Sequence, residues 1–374
     1  MGWNLLRRKT LTAIAAALIL AGVPGSAWAA EAPESPAGPR DADGPLPPAQ
    51  GHLGVELYSL SIPDEDVIGR FVDGLLLARR DWLQAVLDRS LVYREVIVRA
   101  IGDRMMPREL RFLPAVESGY QARALSPRGA AGLWQLMRNT ASPYGLRMDQ
   151  WVDERRDFWK ATDASLSKLT ENFALFGDWY LALAAYNCGV GKLSAILRKN
   201  PGCDYWALRR RGVLPRETAA FVPQFLALAR ILGYPGRYGL EIGWDASPEW
   251  TRIPVDRCVD LRILSRESGV PLDALTAGNQ ELNFPMTPPA SYGYQLKVRA
   301  EHSGAVEKTL AGATLPLLEF RVHVVAEGDT LSAMARHYGV SVELIQEFNP
   351  KLAPRALRIG SKVLVPITPA RSSG

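Results

Sequence analysis

Residues 113–137 are the segment that most restricts the possible folds and functions of this chain. They combine one carboxylate in an apolar run with a glycine-rich segment that carries a Trp and a Gln. Glu117 is flanked there by Leu113, Ala115 and Val116. Burial disfavours the charged form of a carboxylate, so a Glu in such a setting can stay protonated near neutral pH. A protonated Glu can donate a proton to a leaving oxygen. A Glu exposed on an ordinary helix is the alternative, and the pattern alone leaves it open.

A second motif, at residues 181–189, reads Leu-Ala-Leu-Ala-Ala-Tyr-Asn-Cys-Gly. Its apolar run predicts a buried central helix, and Asn187 and Gly189 are typical of a helix end. The Glu-Ser, Gly-Leu-Trp-Gln and Ala-Tyr-Asn-x-Gly elements occur in this order. Together they resemble the catalytic domain of the lytic murein transglycosylases, in the soluble-lytic-transglycosylase branch of the lysozyme-like superfamily. The resemblance implies an all-α lysozyme-like domain at 101–235.

Hydrophobic periodicity predicts further helices around this domain. Val67, Phe71 and Leu75 recur every four residues and predict a helix at 64–90, capped by Asp64 and continuing in helix to 101. Residues 52–100 are therefore expected to form an N-terminal helical region. The same reasoning predicts a helix at 216–232.

The resemblance also implies a reaction, cleavage of the β-1,4 chain of peptidoglycan. Glu117 would protonate the leaving O4 and then, as a carboxylate, take the proton of the muramoyl 6-hydroxyl as that oxygen closes on C1. The products would carry 1,6-anhydro ends, with no water consumed. Tyr186 would hydrogen-bond the acid or the sugar, and Asn187 would hold the turn or contact an acetamido group. The family pattern places these residues along the glycan cleft: Ser126, Gln135, Met137, Tyr186 and Asn187.

Most glycosidases use two carboxylates, but only Glu117 has a suitable setting near the motif. A solvated loop or a set of salt bridges is expected for the acids that follow it: Asp149, Asp153, Glu154 and Asp157. A single acid fits a transglycosylase. A lysozyme-like hydrolase and an inactive glycan-binding scaffold remain alternatives, and neither a cofactor nor a metal ion is expected.

Several other residues of the motifs have two interpretations. Gly129 and Gly132 are expected where the backbone must approach a ligand closely. Trp134 either stacks on a sugar or lies in the core, whereas Ser118 is expected to pack within its helix. The cysteines match no metal-site spacing, and the sequence does not say which pair, if any, forms a disulfide: Cys188, Cys203 and Cys258.

The N-terminus predicts export. Arg7, Arg8 and Lys9 precede an apolar run at 11–21 and an Ala-Trp-Ala site, which is the pattern of a signal peptide at 1–29. An uncleaved membrane anchor is the alternative. Loss of these three basic residues would lower the formal charge from +5 to +2, which gives no support for nucleic-acid binding.

Residues 30–51 are rich in Pro, Ala and Gly and predict a disordered linker. No Cys stands near the expected cleavage site, so a lipid anchor is not expected. The location predicted is therefore the periplasm. The expected partners are peptidoglycan glycan strands, with other cell-wall enzymes as further candidates, and the chain is expected to be a monomer.

The C-terminal part changes from helical to mixed patterning, so the whole chain is predicted to be a multidomain α+β protein. A β-α-α-β unit at 320–367 closely resembles the lysin motif, a module that binds glycans containing N-acetylglucosamine. The resemblance gives it these characteristic residues: Gly328, Asp329, Thr330, Asn349 and Pro350. The short tail that follows suggests a terminal domain that can be removed without exposing a core.

Residues 250–300 are predicted to be a degenerate second copy of this unit. Six positions match the C-terminal copy at a constant offset of 70 residues, among them Leu261 with Leu331 and Asn279 with Asn349. The copy has Cys-Val-Asp at 258–260 where the other has Gly-Asp-Thr, so its fold is expected to persist while its glycan affinity is in doubt. Chance similarity of two amphipathic helix pairs is the alternative.

Overall fold

The computed structural model describes residues 59–63, 65–243, 247–312, 319–349, 352 and 357–367. The expected signal peptide and linker, the expected helix cap Asp64, and Pro350 lie outside these residues. Within the described ranges, no helix is both long enough and apolar enough to cross a bilayer.

The first part of the chain, here called the helical domain, is built from α-helices and short 3-10 turns. Its helices are α1 (Asp66–Ala78), α2 (Arg80–Asp103), α3 (Leu113–Ser118), α4 (Arg138–Ala141), α5 (Phe158–Phe176), α6 (Trp179–Cys188), α7 (Val190–Lys199), α8 (Tyr205–Arg210) and α9 (Arg216–Gly233). The prediction of a helix at 216–232 is confirmed by α9. The prediction of one continuous helix from 64 was wrong, because Arg79 leaves helical geometry at φ −140° and separates α1 from α2.

One hydrophobic core holds the helical domain together. It includes four fully buried side chains: Leu83 of α2, Leu113 of α3, Phe158 of α5 and Phe225 of α9. Helix α6 runs through this core with residues 182–185 fully buried, which confirms the predicted central helix. Because α2 crosses position 101 and its buried face belongs to the same core, the N-terminal helices and the motif-bearing helices form one packed unit.

Two small α+β units follow, each with a two-stranded antiparallel sheet. The inner module comprises β1 (Trp250–Val255), α10 (Leu261–Ser268), α11 (Leu272–Gly278), β2 (Tyr294–Arg299) and α12 (Ser303–Ala311). The outer module comprises β3 (Glu319–Val324), α13 (Leu331–Tyr338), α14 (Val342–Phe348) and β4 (Lys362–Ile367). The predicted β-α-α-β order of the outer module is confirmed, including the cap of α14 by Ser341.

The matched asparagines of the two modules make the same hydrogen bonds. The Asn349 amide donates to Ile345 O and Leu364 O and accepts from Leu364 N, at 2.6, 2.7 and 2.9 Å. Asn279 repeats this with Leu275 O, Lys297 O and Lys297 N, at 2.8, 2.8 and 3.0 Å. Each asparagine thereby ties its second helix to its last strand, which gives the constant sequence offset a structural cause.

The outer module does not stand alone, contrary to the expectation that it can be removed without exposing a core. Phe320, Phe348 and Leu364 belong to the hydrophobic cluster of the inner module, with at most 9% of each exposed. Arg262 of the inner module also lies 5.4 Å from the Phe348 ring centroid. Removal of the outer module would therefore uncover apolar surface.

The inner module is joined to the helical domain by packing and by buried charges. Trp250 packs on Phe158, with ring centroids 5.2 Å apart, and its indole donates to the carbonyl of Val92 at 2.7 Å. The ammonium of Lys297 pairs with Asp157 at 2.9 Å and with Glu281, and all three side chains are at most 3% exposed. Asp157 also caps α5, so a helix of the helical domain begins at this buried charge cluster.

Candidate active site

Glu117 lies at the end of the short helix α3. Pro114 favours the first turn of this helix, and Gly119, at φ +58°, ends it in the left-handed conformation that glycine adopts easily. Glu117 opens onto a cavity of about 320 Å³. Burial, with a smaller contribution from the negative charge of Glu217, raises the pKa of Glu117 to about 8.

The structure brings all the residues predicted for the cleft around this one cavity. The predicted residues that line it are Glu117, Ser126, Gln135, Met137, Tyr186 and Asn187. They come from α3, from the loop at 124–137 and from the end of α6, which are well separated in sequence. Packing of these elements on the shared core therefore assembles the site.

Tyr186 and Asn187 use their side chains to fix the back of the cavity. The Tyr186 hydroxyl donates to Trp134 O at 2.8 Å and lies 3.2 Å from the Ser165 hydroxyl. Burial, and then the charge of Glu117, raise the pKa of Tyr186 well above its usual range, so it stays a phenol. The side-chain carbonyl of Asn187 accepts from the Thr218 hydroxyl at 2.8 Å, which ties the end of α6 to α9.

The loop at 124–137 forms the opposite wall. The Ser126 hydroxyl accepts from Ala130 N at 2.9 Å, so it closes a turn of the loop. Gln135 has φ +48°, and its amide donates to Gly132 O at 2.9 Å. Left-handed backbone at a non-glycine residue costs free energy and often marks a functional site. Met137 is 38% exposed and presents an apolar surface at the rim.

Arg155 holds this loop from behind, and sequence reasoning did not identify it. Its guanidinium donates to Gly129 O at 2.6 Å and to Leu136 O at 3.1 Å, so one side chain fixes the loop at two points. Asp153 orients the guanidinium through bonds of 2.9 and 2.7 Å. An Arg among several charges gives no recognisable sequence signal, because its partners are backbone carbonyls.

Glu217 is the second carboxylate of the cavity, and sequence reasoning missed it as well. It lies in the first turn of α9, where an acidic residue is common and carries no functional information. The Asn187 amide donates to it at 3.5 Å, and Arg128 pairs with it at 3.7 Å across a solvent-exposed edge. The expectation of a single acid near the motif is therefore wrong for the folded site, since Glu217 approaches from a distant helix.

The structure resolves the interpretations left open for the other motif residues. A Cβ on Gly132 would lie 1.8 Å from the carbonyl oxygen of Arg155, so the close approach is to the protein's own backbone and not to a ligand. Gly129 faces open space and serves a turn at φ +85°. Trp134 is fully buried and donates to the Thr162 hydroxyl at 2.9 Å, so it belongs to the core. Ser118 is buried, and its hydroxyl contacts Pro114 O of its own helix at 3.3 Å and Leu133 O of the loop at 2.8 Å, so it packs α3 against the loop.

The acidic side chains at 149–157 form ion pairs and hydrogen bonds within the protein. Asp153 pairs with Arg155, Glu154 with Lys160, and Asp157 with Lys297. The predicted salt bridges are confirmed. The alternative prediction of a solvated loop is wrong, because Glu154 and Asp157 are buried. Asp149 accepts from the backbone N–H groups of residues 151 and 152. No disulfide joins the cysteines at 188, 203 and 258.

In the outer module, the characteristic polar side chains serve its own fold. Asp329 accepts from Ala326 N and contacts His323 Nε2, both at 2.7 Å. Thr330 caps α13, and Asn349 bonds to the last strand as described above. Gly328 has φ +85°, in the turn that precedes the cap. Among the described residues, no group of three or more His, Cys, Asp or Glu side chains is placed to hold a metal ion.

Comparison with known proteins agrees with this arrangement. Residues 96–208 match the family described as Transglycosylase SLT domain, and residues 323–366 match the LysM domain. The chain is 32% identical over 331 residues to the membrane-bound lytic murein transglycosylase D of Escherichia coli (strain K12), which covers 84% of this chain and 71% of that protein. It is 35% identical over 121 residues to a putative tributyltin chloride resistance protein of Alteromonas sp. (strain M-1), covering 32% of this chain and 58% of that one.

Among solved structures, the 70 kDa soluble lytic transglycosylase of Escherichia coli is similar at 22% sequence identity, with a TM-score of 0.37. The match covers 45% of this chain and 28% of that one. The match to transglycosylase D extends over most of both chains. The chain therefore belongs to the lytic murein transglycosylase family represented by transglycosylase D, with an SLT domain and a LysM domain.

Proposed function

We propose that this protein is a peptidoglycan lytic transglycosylase that cleaves the β-1,4 bond between N-acetylmuramic acid and N-acetylglucosamine and leaves 1,6-anhydromuramoyl ends. The observation that carries the proposal is the placement of Glu117 in a cavity built from α3, the loop at 124–137 and the end of α6, where burial raises its pKa to about 8. With that pKa, roughly nine in ten Glu117 side chains hold a proton at pH 7, against roughly one in 300 at a pKa of 4.5. The acid is thus ready to protonate a leaving oxygen at neutral pH.

The same residue serves both steps of the proposed reaction. Glu117 gives its proton to the leaving O4, and the resulting carboxylate then accepts the proton of the muramoyl 6-hydroxyl as that oxygen bonds to C1. Return of the proton restores the acid, so no water enters the balance. The carboxylate of Glu217 is available to offset the positive charge that develops at C1. Tyr186 stays neutral and keeps the cavity wall in place.

Glu217 also gives a second candidate function specific support. Two carboxylates in one cleft are what a hydrolase needs, one as the acid and one to activate water or to act as nucleophile. The products separate the two reactions. Digestion of sacculi in H₂¹⁸O followed by mass spectrometry should show 1,6-anhydro ends without ¹⁸O. Reducing ends that carry ¹⁸O would show hydrolysis instead.

The test includes two isosteric variants. Glu117→Gln should abolish product formation while it keeps the fold, because the amide retains shape and loses the transferable proton. Glu171→Gln is the matched control, since Glu171 is an exposed acid bonded to the Tyr144 hydroxyl. Full activity in a folded Glu117→Gln protein would contradict the assignment of the acid.

We further propose that the outer module holds the enzyme on its polymer in the periplasm, which raises the effective substrate concentration for the cleft. In that role the glycan surface includes the residues that the resemblance to the lysin motif gives: Gly328, Asp329, Thr330, Asn349 and Pro350. A monomer suffices for this arrangement, because the outer module is already docked beside the inner one. Pelleting with insoluble sacculi tests the role, with the truncated protein also spun alone because removal of the module uncovers apolar surface. Undiminished sacculus-dependent pelleting without the outer module would contradict the role.

The inner module is proposed to be a lysin-motif fold that braces the cleft and does not bind glycan. Its loop at 257–261 matches the Gly-Asp-Thr loop, but the chain itself covers it. Thr287 N donates to Val259 O at 3.0 Å, Val259 N donates to the Thr287 hydroxyl at 2.8 Å, and Leu261 N donates to Pro285 O at 2.9 Å. The backbone carbonyl of residue 281 also accepts from Asp153 N, close to the arginine that holds the active-site loop.

A further inference from the structure

Lys168 is a half-buried cation in the cavity that the proposed reaction does not use. Thr162, Ser165 and Lys168 follow one another at intervals of three along α5, so they share one face of the helix. Thr162 contacts the Trp134 indole and Ser165 contacts the Tyr186 hydroxyl. The third member of this row, Lys168, lines the same cavity as Glu117, with its ammonium 5.9 Å from the Tyr186 ring centroid.

The ammonium of Lys168 has no carboxylate within 4 Å among the residues that the structure describes. Desolvation lowers the pKa of Lys168, and the charge of Glu171 offsets this only in part. Glu171 is itself engaged by the Tyr144 hydroxyl at 2.7 Å. Glu217, the other acid of the cavity, has Arg128 as its cationic neighbour. A positive charge partly removed from water without a partner is unfavourable unless a ligand supplies the missing anion.

The positive charge of Lys168 does not account for the pKa of Glu117. A positive charge close to Glu117 would favour its carboxylate form and lower its pKa. The pKa of Glu117 is raised instead, by burial and by Glu217. The cation is therefore placed to act on something else that enters the cavity.

We propose that Lys168 binds a carboxylate of the substrate and thereby makes the cleft prefer glycan strands that carry one beside the cleaved bond. This inference rests on the proposed function, since it assumes that the strand occupies this cavity. Peptidoglycan offers the carboxylate from two sources. One is the peptide stem on N-acetylmuramic acid, and the other is the lactyl carboxylate that becomes free when the stem is removed.

Binding in an inactive background tests the assignment without turnover. In full-length Glu117→Gln protein, calorimetry would compare three soluble tetrasaccharides: one with peptide stems, one with stems removed and lactyl carboxylates free, and chitotetraose, which has no carboxylate. Lys168→Met keeps the apolar stem of the side chain and removes the charge. We expect the Lys168→Met substitution to weaken binding of at least one carboxylate-bearing ligand by roughly 10- to 100-fold, the usual range for a charge-assisted hydrogen bond. The affinity for chitotetraose should not change.

The variants separate charge from packing. Lys168→Arg should keep most of the affinity, because it preserves the positive charge. Lys160→Met is the matched control, an exposed lysine on the same helix outside the cavity lining. A loss confined to stem-bearing ligand identifies the stem as the source, and a loss confined to stem-free ligand identifies the lactyl group.

Equal weakening of all three ligands, or no weakening of any, would overturn the role of Lys168. Failure of the proposed function has a different signature. The Glu117→Gln protein with Lys168 intact would then bind none of the three ligands, and the wild-type protein would release no anhydro products, which would overturn both proposals together.

Discussion

Replacement of Glu217 by Gln should move the alkaline limb of the activity profile to lower pH. Activity requires protonated Glu117, so it falls as the pH rises through the pKa of that residue. Glu217 contributes to that pKa by like-charge repulsion, and the amide removes the repulsion while it keeps the shape. The limb of the wild-type protein is therefore expected near pH 8, and that of the variant below it.

The causes of the raised pKa bound the size of this movement. The pKa of Glu117 rises from 4.5 to about 8, and burial is the larger of the two causes. The contribution of Glu217 is therefore less than half of the interval, so the limb should move by less than about two pH units. It should stay well above 4.5, because the Glu217→Gln substitution leaves the burial of Glu117 unchanged.

The assay is kcat/KM for soluble glycan strands from about pH 5 to about pH 9, since this ratio reports the ionisation of the free enzyme. Glu171→Gln serves as the control, because Glu171 acts on Lys168 and Tyr144 and its loss should leave the limb in place. A rise in KM for Glu217→Gln is compatible with the reasoning, since the residue lines the cavity. A limb that stays fixed, or moves to higher pH, would refute the coupling of the two carboxylates.

Three further predictions concern stability and positioning. Because folding raises the pKa of Glu117, the wild-type protein loses stability as the pH rises from 4.5 towards 8. The free energy of unfolding of Glu117→Gln in urea should therefore exceed that of the wild-type protein by an amount that grows over this interval to a few kcal/mol. A difference that stays constant with pH would contradict this prediction. Arg155→Lys should lower kcat by about tenfold or more with a small change in Tm, because one ammonium cannot hold both loop carbonyls and Asp153; unchanged kinetics would show that the loop holds its own geometry. Lys297→Met should cost about 3–5 kcal/mol, since it leaves two buried carboxylates uncompensated. The control Lys308→Met, at an exposed lysine of α12 in the same module, should cost at most about 1 kcal/mol, and equal urea midpoints for the two variants would contradict this prediction.

The sequence determined the features that depend on neighbours along the chain. Helix α9 and the cap of α14 followed from periodicity and from a single side chain, because both are local interactions. The repeated asparagine was visible as a constant offset, since each copy uses it to close the same short unit. Glu117 was recognisable because its apolar neighbours and the motifs after it are close in sequence.

Only the tertiary structure decided the features that depend on distant contacts. Glu217 shares a cavity with Glu117 from a position 100 residues later, and Lys168 enters it from a helix that carries no motif. Arg155 holds the active-site loop through backbone carbonyls, which leave no trace in side-chain pattern. The docking of Phe348 on the inner module likewise needs both partners in place. Burial and charge at a site are sums over everything packed around it, so the same Glu in the same motif acquires its raised pKa only when the fold has brought these groups together.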